Sequence, residues 1–348
     1  MSAMWILLRS EADVSRVQRE LQGLGLWTRR LEAARGHAVG LEVERHSTRV
    51  SPERVASIDG VVQVMRPQSP HPRVDAQSGV TLRIGKLTLG GRAEPVLMAG
   101  PCSVESEAQI HAAASMAAAA GARVLRGGAF KPRSSPYSFS GEGRPALEWM
   151  RAAADAHGLA IVTEVMSEHD IDAVAEHAEL LQVGSRNMQN FALLAAVGHT
   201  KKPVLLKRGM SARIEDWLLA GEHLLKAGAA GVIFCERGIQ GIDTTTRNVL
   251  DLGAVALLKH VLGQPVIVDP SHAAGRRDLV PALARAALGA GADGLLVEAH
   301  PEPHAAKSDG AQALEARELA ELGATLGFIA PKRTESAVTS SLSNVQPW

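Results

Sequence analysis

PVLMAGPCSVESEAQIHAAASMAAAAGARVL, residues 95–125, is the stretch whose reading decides the fold. It opens on a short apolar run, crosses a polar loop, continues as an Ala-rich amphipathic segment and ends on the next apolar run. That order is a strand, a helix and a second strand. Outward from it, apolar runs recur at residues 95–99, 123–125, 160–163, 180–183, 203–206, 231–234, 265–268 and 294–297, each followed by a helix-like stretch. Eight such units in about 240 residues predict an α/β chain with a (β/α)8 TIM barrel over residues 93–330. An open doubly wound sheet is the alternative, but no Gly-rich dinucleotide fingerprint follows any of the runs.

Upstream, residues 5–9, 11–24, 26–32, 37–44, 51–57 and 60–66 read as strand, helix, strand, strand, helix and strand. This βαββαβ order predicts a small ferredoxin-like domain over residues 1–70. PQSPHPRVDAQSG, residues 67–79, has the Pro-rich polar composition of a linker, and VTLRIGKLTLGG, residues 80–91, reads as a hairpin, so residues 71–92 are expected to join the two domains. Residues 331–348 are Ser/Thr-rich without a period and predict a mobile tail.

Lys plus Arg and Asp plus Glu are each 37 in 348 residues, so the chain as a whole has no charge reason to seek nucleic acid or membranes. No apolar run is long enough to span a bilayer, and the start lacks the pattern of a secretion signal. A cytoplasmic protein is expected. Cys102 and Cys235 are the only cysteines, too few for a disulfide framework, so each reads as a reduced thiol or a ligand.

Active sites of such barrels are built from the loops after the strands, and nearly every predicted strand ends in a reactive side chain. The first ends at Cys102, the second leads into Arg126 and Lys131, the third ends at Glu164 and the fourth at Gly184, Ser185 and Arg186. The fifth gives Lys207 and Arg208, the sixth Cys235, Glu236 and Arg237, the seventh Asp269 and His272, and the eighth Glu298. Two sets separate by chemistry. Cys102, His272, Glu298 and Asp309 mix a thiol, an imidazole and carboxylates, a donor set that favours Mn, Fe, Co or Zn over Mg or Ca. Arg126, Lys131, Arg186, Lys207 and Arg237 would repel one another in a single cavity and so call for an anion. The loop LRGGAFKPRSSPYSF, residues 125–139, adds Arg133, Ser134 and Ser135 to that character. The competing readings are a solvated basic turn, a buried apolar Cys, a hydrogen-bonded loop His and a turn-forming Asp309.

AGPCSVES, LRGGAFKPRSSPYSF, VTEVM, VGSRNMQNF, PVLLKRGM, CERGI, VDPSHAAGRRD, VEAHPEP and AKSDG together resemble the 3-deoxy-D-arabino-heptulosonate-7-phosphate (DAHP) synthase family, in its type I beta branch with a short ferredoxin-like domain before the barrel. The resemblance spans nearly the whole chain; residues 331–348 have no dependable counterpart. It implies a transferase that condenses phosphoenolpyruvate with D-erythrose 4-phosphate in the first step of the shikimate route to aromatic amino acids. By similarity, one divalent metal is held by Cys102, His272, Glu298 and Asp309. Phosphoenolpyruvate is expected against Arg126, Lys131, Arg186, Lys207 and Arg237, and the erythrose phosphate against Pro132, Arg133, Ser134 and Ser135, with Asp269 near sugar and metal.

Lys131 and Glu164 are the expected proton handlers, with Asp269 and His272 completing the catalytic set. Cys235 is left to packing. The sibling 3-deoxy-D-manno-octulosonate 8-phosphate synthases typically read KANRSS where this chain reads KPRSS at residues 131–135, which favours the four-carbon sugar. A non-catalytic aromatic amino acid sensor is a further alternative, opposed by the intact donor set. The resemblance also implies feedback inhibition by an aromatic amino acid through residues 1–66, and a homotetramer.

Overall fold

The structure, a computed structural model, describes residues 4–329 apart from 33–38, 45–47, 49, 67, 132–136 and 138. It contains two compact units, Met1–Pro72 and Arg73–Trp348.

In the first unit the chain runs β1 (Met4–Leu8), α1 (Val14–Gly23), β2 (Thr28–Glu32), β3 (Val39–Val43), α2 (Pro52–Ala56) and β4 (Val61–Met65). The strands form one sheet in the order β2-β3-β1-β4, antiparallel at each pairing. This is the expected βαββαβ arrangement. Alternation in β1 sends Met4, Ile6 and Leu8 inward, where they join Val17 and Leu21 of α1 and Val55 of α2 in a separate apolar core. Each helix starts where its sequence supplies a cap: Asp13 accepts from the N–H of Arg16, and Ser51, followed by Pro52, accepts from that of Arg54.

A short helix, α3 (Pro72–Ala76), stands where composition reads as linker. The N–H groups of Arg73 and Val74 donate to Glu222 Oε2 at 2.9 and 3.0 Å, and Gln77 exchanges two hydrogen bonds with Val232 at 2.7 and 2.8 Å. The polar residues of this segment therefore tie it to the barrel wall. A hairpin of β5 (Thr81–Ile84) and β6 (Leu87–Gly90) follows.

The eight remaining strands are β7 (Val96–Gly100), β8 (Val124–Arg126), β9 (Ala160–Glu164), β10 (Leu180–Val183), β11 (Pro203–Lys207), β12 (Gly231–Glu236), β13 (Val266–Val268) and β14 (Gly294–Glu298). They are parallel and close into a barrel in sequence order, β14 pairing with β7. The TIM barrel read from the repeating runs is the fold of this unit. Helices α4 (Glu107–Ala119), α5 (Arg144–His157), α6 (Ile171–His177), α7 (Phe191–Gly198), α8 (Ile214–Ala227) and α9 (Leu252–Ala256) follow the first six barrel strands in turn. A short α10 (Pro270–Ala274) and then α11 (Val280–Gly289) follow β13, and α12 (Ala316–Thr325) follows β14.

Period-two alternation divides the buried strand residues into two cores. Leu97, Leu125, Ile161 and Leu181 face the helices, while Met98, Val124, Val162, Leu205, Ile233, Ile267 and Leu296 fill the barrel interior together with Leu82, Ile84, Leu87 and Leu89 of the hairpin. Cys235 lies in that interior core and is fully buried, the packing role expected of it. Close strand approach explains Gly100: a Cβ there would sit 2.1 Å from the Arg126 carbonyl oxygen.

Candidate metal centre and active site

The strand ends carry the chemistry. Arg126, Glu164, Lys207, Glu236 and Glu298 are the last residues of β8, β9, β11, β12 and β14, and all five are buried. Asp269 caps α10: its Oδ1 accepts from the N–H of His272 at 2.9 Å, Pro270 occupies the first turn, and Gly275 ends the helix in a left-handed conformation. A five-residue helix with these signals holds His272 at a fixed height above the barrel mouth.

Cys102, His272, Glu298 and Asp309 place one donor atom each within 4.8 Å of one another. The Cys102 thiol donates to Asp309 Oδ2 at 3.0 Å, and His272 Nε2 lies 3.3 Å from Glu298 Oε1. His272 Nδ1 is 2.7 Å from Asp269 Oδ2. An ionised Asp269 only accepts, so Nδ1 carries the proton and Nε2 keeps its lone pair toward the other three donors. A carboxylate behind a histidine is the usual support of a metal-ligating imidazole. The soft thiolate, the imidazole nitrogen and two carboxylates fit a first-row divalent ion.

Charge compensation surrounds these donors. Arg126 Nη1 reaches Glu298 Oε1 at 2.7 Å, Lys207 Nζ reaches Asp269 Oδ2 at 2.6 Å, and Lys131 Nζ donates to the sulfur and the carbonyl of Cys102 at 3.0 and 2.9 Å. Burial raises the carboxyl of Glu298, but His272 and Arg126 outweigh it and hold the group below its ordinary value. Asp269 is likewise opposed by burial and held well below the carboxylate range by His272 and Lys207. Asp309 is lowered too, its hydrogen bond from Cys102 overcoming burial. Burial lowers His272 and so favours the neutral ring. It pushes the Cys102 thiol up to about 11, with the charge of Glu298 adding to the effect and Lys131 and Arg126 opposing it.

Asp309 has φ 52° and ψ 25°, a left-handed conformation that a non-glycine residue adopts only where its surroundings hold it. Arg247 Nη1 donates to its Oδ1 at 3.1 Å and to Gln312 Oε1 at 3.2 Å. Gln312 Nε2 in turn donates to Glu298 Oε2.

The expected site residues divide accordingly. Arg126, Lys131, Lys207, Asp269, His272, Cys102, Glu298 and Asp309 form one bonded cluster. Two of its cations, Arg126 and Lys207, are paired with the site carboxylates Glu298 and Asp269, so repulsion among them is smaller than their number implies. Glu164 is buried beside Gln182, whose amide lies 3.4 Å away, and a Cβ on Gly184 would sit 2.0 Å from Glu164 Oε1. Arg237 is buried, and its Nη1 has no hydrogen-bond partner among the described residues. Arg186 is exposed on the turn after β10, and no hydrogen bond or ion pair joins it to the cluster. Arg208 is taken up elsewhere, pairing with Glu236 at 3.0 Å and Asp251 at 2.8 Å. Pro132, Arg133, Ser134 and Ser135 lie outside the described residues, as do residues 331–348.

Sequence reading missed Arg247 and Gln312. Neither ends a strand, and their partners Asp309 and Glu298 lie 62 and 14 residues away, so no local spacing marks them.

The sequence profile described as "DAHP synthetase I family" matches residues 72–329. The chain belongs to the DAHP synthetase I family. A phospho-2-dehydro-3-deoxyheptonate aldolase of Thermotoga maritima is 44% identical over 263 residues, 76% of this chain and 78% of that protein. The crystal structure of the phospho-2-dehydro-3-deoxyheptonate aldolase (DAHP synthase) from Thermotoga maritima matches with a TM-score of 0.72 and 37% identity, covering 94% of this chain and 97% of that one. A 2-dehydro-3-deoxyphosphooctonate aldolase of Syntrophotalea carbinolica is more distant, 31% identical over 67% of this chain and 90% of its own length. Membership makes this chain an enzyme of the DAHP synthase kind. No helix among the described residues is long and apolar enough to cross a membrane.

Proposed function

We propose that this enzyme condenses phosphoenolpyruvate with D-erythrose 4-phosphate to give 3-deoxy-D-arabino-heptulosonate 7-phosphate and inorganic phosphate, with one divalent ion of Mn, Fe, Co or Zn held by Cys102, His272, Glu298 and Asp309. The observation that carries this reading is the convergence of those four donor atoms within 4.8 Å at the mouth of a barrel of this family. When bound, the ion supplies a Lewis acid that favours negative charge on the aldehyde oxygen.

The chain's own residues do the rest. Arg126, Lys131, Lys207, Arg186 and Arg237 receive the carboxylate and phosphate of phosphoenolpyruvate. Arg237 is the clearest member, because a buried guanidinium nitrogen without a partner is ready to donate to an incoming anion. Pro132, Arg133, Ser134 and Ser135 take the phosphate of the aldose. Holding two anions side by side against fixed cations is mainly proximity and electrostatic catalysis.

Carbon three of phosphoenolpyruvate then bonds to the aldehyde carbon, and positive character develops at carbon two. Water adds there, and the carbon–oxygen bond to phosphate breaks. Lys131, with Nζ 3.0 Å from Cys102 Sγ, and Glu164 exchange protons with the alkoxide and the water, while Asp269 and His272 keep the site's hydrogen bonds in register.

A coupled assay with phosphoenolpyruvate and erythrose 4-phosphate, with and without chelator, tests the proposal; turnover unaffected by metal removal and re-addition overturns the metal assignment. The phosphooctonate relative makes arabinose 5-phosphate the informative competitor, and faster turnover with it overturns the choice of aldose.

The first unit, Met1–Pro72, is proposed as the regulatory domain for an aromatic amino acid. Equal inhibition by Tyr or Phe before and after its removal would exclude that role. A cytoplasmic homotetramer completes the proposal, and sedimentation of the full chain tests the assembly.

A further inference from the structure

Each of the two carboxylate ligands has two oxygens, yet each needs to present one in a defined direction. Asp309 Oδ1 accepts from Arg247, and Oδ2 is the oxygen that faces Cys102 Sγ at 3.0 Å. Glu298 Oε2 accepts from Gln312, and Oε1 is the oxygen that faces His272 Nε2 at 3.3 Å. One donor therefore occupies the outer oxygen of each carboxylate while the inner oxygen faces the centre, that of Glu298 also accepting from Arg126 Nη1 at 2.7 Å.

The two donors are themselves joined. Arg247 Nη1 bonds both Asp309 Oδ1 and Gln312 Oε1. A guanidinium only donates, so it fixes the Gln312 amide with its oxygen toward Arg247 and its nitrogen toward Glu298. Flipped, the amide oxygen would face the Glu298 carboxylate. Gln312 is 2% exposed, so no bulk solvent stands in for the lost bond. The geometry of Arg247 is provided for as well: its backbone N–H bonds the Ala274 carbonyl at 3.0 Å, and a Cβ on Gly275 would lie 2.5 Å from its own.

We propose that Arg247 and Gln312 are positioning residues that act as a single bridge, setting which oxygen of Asp309 and of Glu298 is offered to the metal. The inference rests on the metal reading above. It adds the loop after β12, which supplies no ligand, to the determinants of metal affinity. Tuning of this kind through groups behind the ligands typically changes metal affinity about 10- to 100-fold.

The test uses full-length protein stripped of metal and titrated with Co2+, following the thiolate-to-cobalt absorption band. Wild type is compared with Gln312→Met, Arg247→Ala and Arg247→Lys, with the thermal midpoint of each metal-free variant as a check of folding. Gln312→Met and Arg247→Ala are expected to weaken Co2+ binding by about 10- to 100-fold and to alter the band while the metal-free midpoint moves little. Arg247→Lys, which keeps the charge but not the planar fork, should fall between them and wild type. The double variant should lose less than the product of the single losses, because the two residues act through one amide. Co2+ affinities of both single variants within twofold of wild type would overturn the bridge and leave the metal reading standing. A wild-type protein that shows no cobalt–thiolate band overturns the metal reading and the bridge together.

Discussion

The two ends of the barrel use the same eight strands for opposite purposes. At the end where strands begin, the hairpin residues Leu82, Ile84, Leu87 and Leu89 meet Val96, Val124, Val162 and Leu180 in an apolar core, with Asp293 beside it paired to Lys259. At the end where they finish, Arg126, Glu164, Lys207, Glu236, Asp269 and Glu298 are buried as ions or ionisable groups. Apolar burial at the first end contributes roughly 25 cal/mol per Å2 and needs no partner. Each group at the second end must find an opposite charge or donor, because removing one partner of a buried pair costs about 3–5 kcal/mol. Stability is concentrated at one end of a shared scaffold and reactivity at the other.

Substitutions should separate these roles. The largest effect is expected from His272→Ala, which removes a proposed ligand and should lower kcat/KM about 10³-fold or more in the coupled assay. A loss under tenfold would remove His272 from the centre. Ile84→Ala should show the reverse pattern, lowering unfolding free energy in urea by about 2–5 kcal/mol while kcat stays near wild type. A lost kcat at permissive temperature would mean that the two ends are not separable. Arg237→Lys should raise KM for phosphoenolpyruvate about tenfold, since an ammonium cannot reproduce the guanidinium fork, with little change in stability.

A proton count sharpens the same contrast. The Cys102 thiol, raised to about 11, must lose its proton to ligate, whereas burial lowers His272 toward its neutral form and the carboxyls of Glu298 and Asp309 are held below their ordinary range. One proton leaves, so Co2+ affinity should rise about tenfold per pH unit from about pH 6.5 to 8.5; a flat profile would rule out thiolate ligation. Stability of the metal-free protein follows the opposite sign. A thiol whose pKa is raised on folding stabilises below its unfolded value of about 8.5 and loses that contribution as pH climbs toward 11. The depressed carboxylates contribute above about pH 4 and lose it as the solution acidifies further. The smallest effect is expected from Cys235→Ala, about 1 kcal/mol of stability with unchanged Co2+ binding. Altered Co2+ binding there would show that the interior core reaches the site.

Much of this contrast was legible in the chain. Eight apolar runs with helical intervals announced the barrel, because a parallel strand covered on both faces has to be apolar along its length. Reactive residues just after those runs marked the mouth. The linker reading differed from the structure because Pro, Gln and Arg in residues 67–79 resemble a solvated segment, yet Gln77 and the α3 backbone bond the buried Val232 and the half-buried Glu222. The cation cluster was read as uncompensated because Asp269 and Glu298 were counted with the sugar and metal, not as partners of Lys207 and Arg126. Arg186 follows β10 as expected, but it stands exposed on the turn after that strand.

By itself the sequence determined the strand count, the parallel order and which residue types follow the strands, since periodicity and residue type are local properties. Only the tertiary structure decided that the first and last barrel strands meet. The pairing of Gly100 with Glu298 brings Cys102 beside a carboxylate nearly 200 residues away, and the turn after β14 carries Asp309 back over both. It alone placed Arg247 and Gln312 behind the proposed ligands Asp309 and Glu298. Barrel closure brings side chains together without regard to their separation along the chain, and no local pattern in the sequence records that distance.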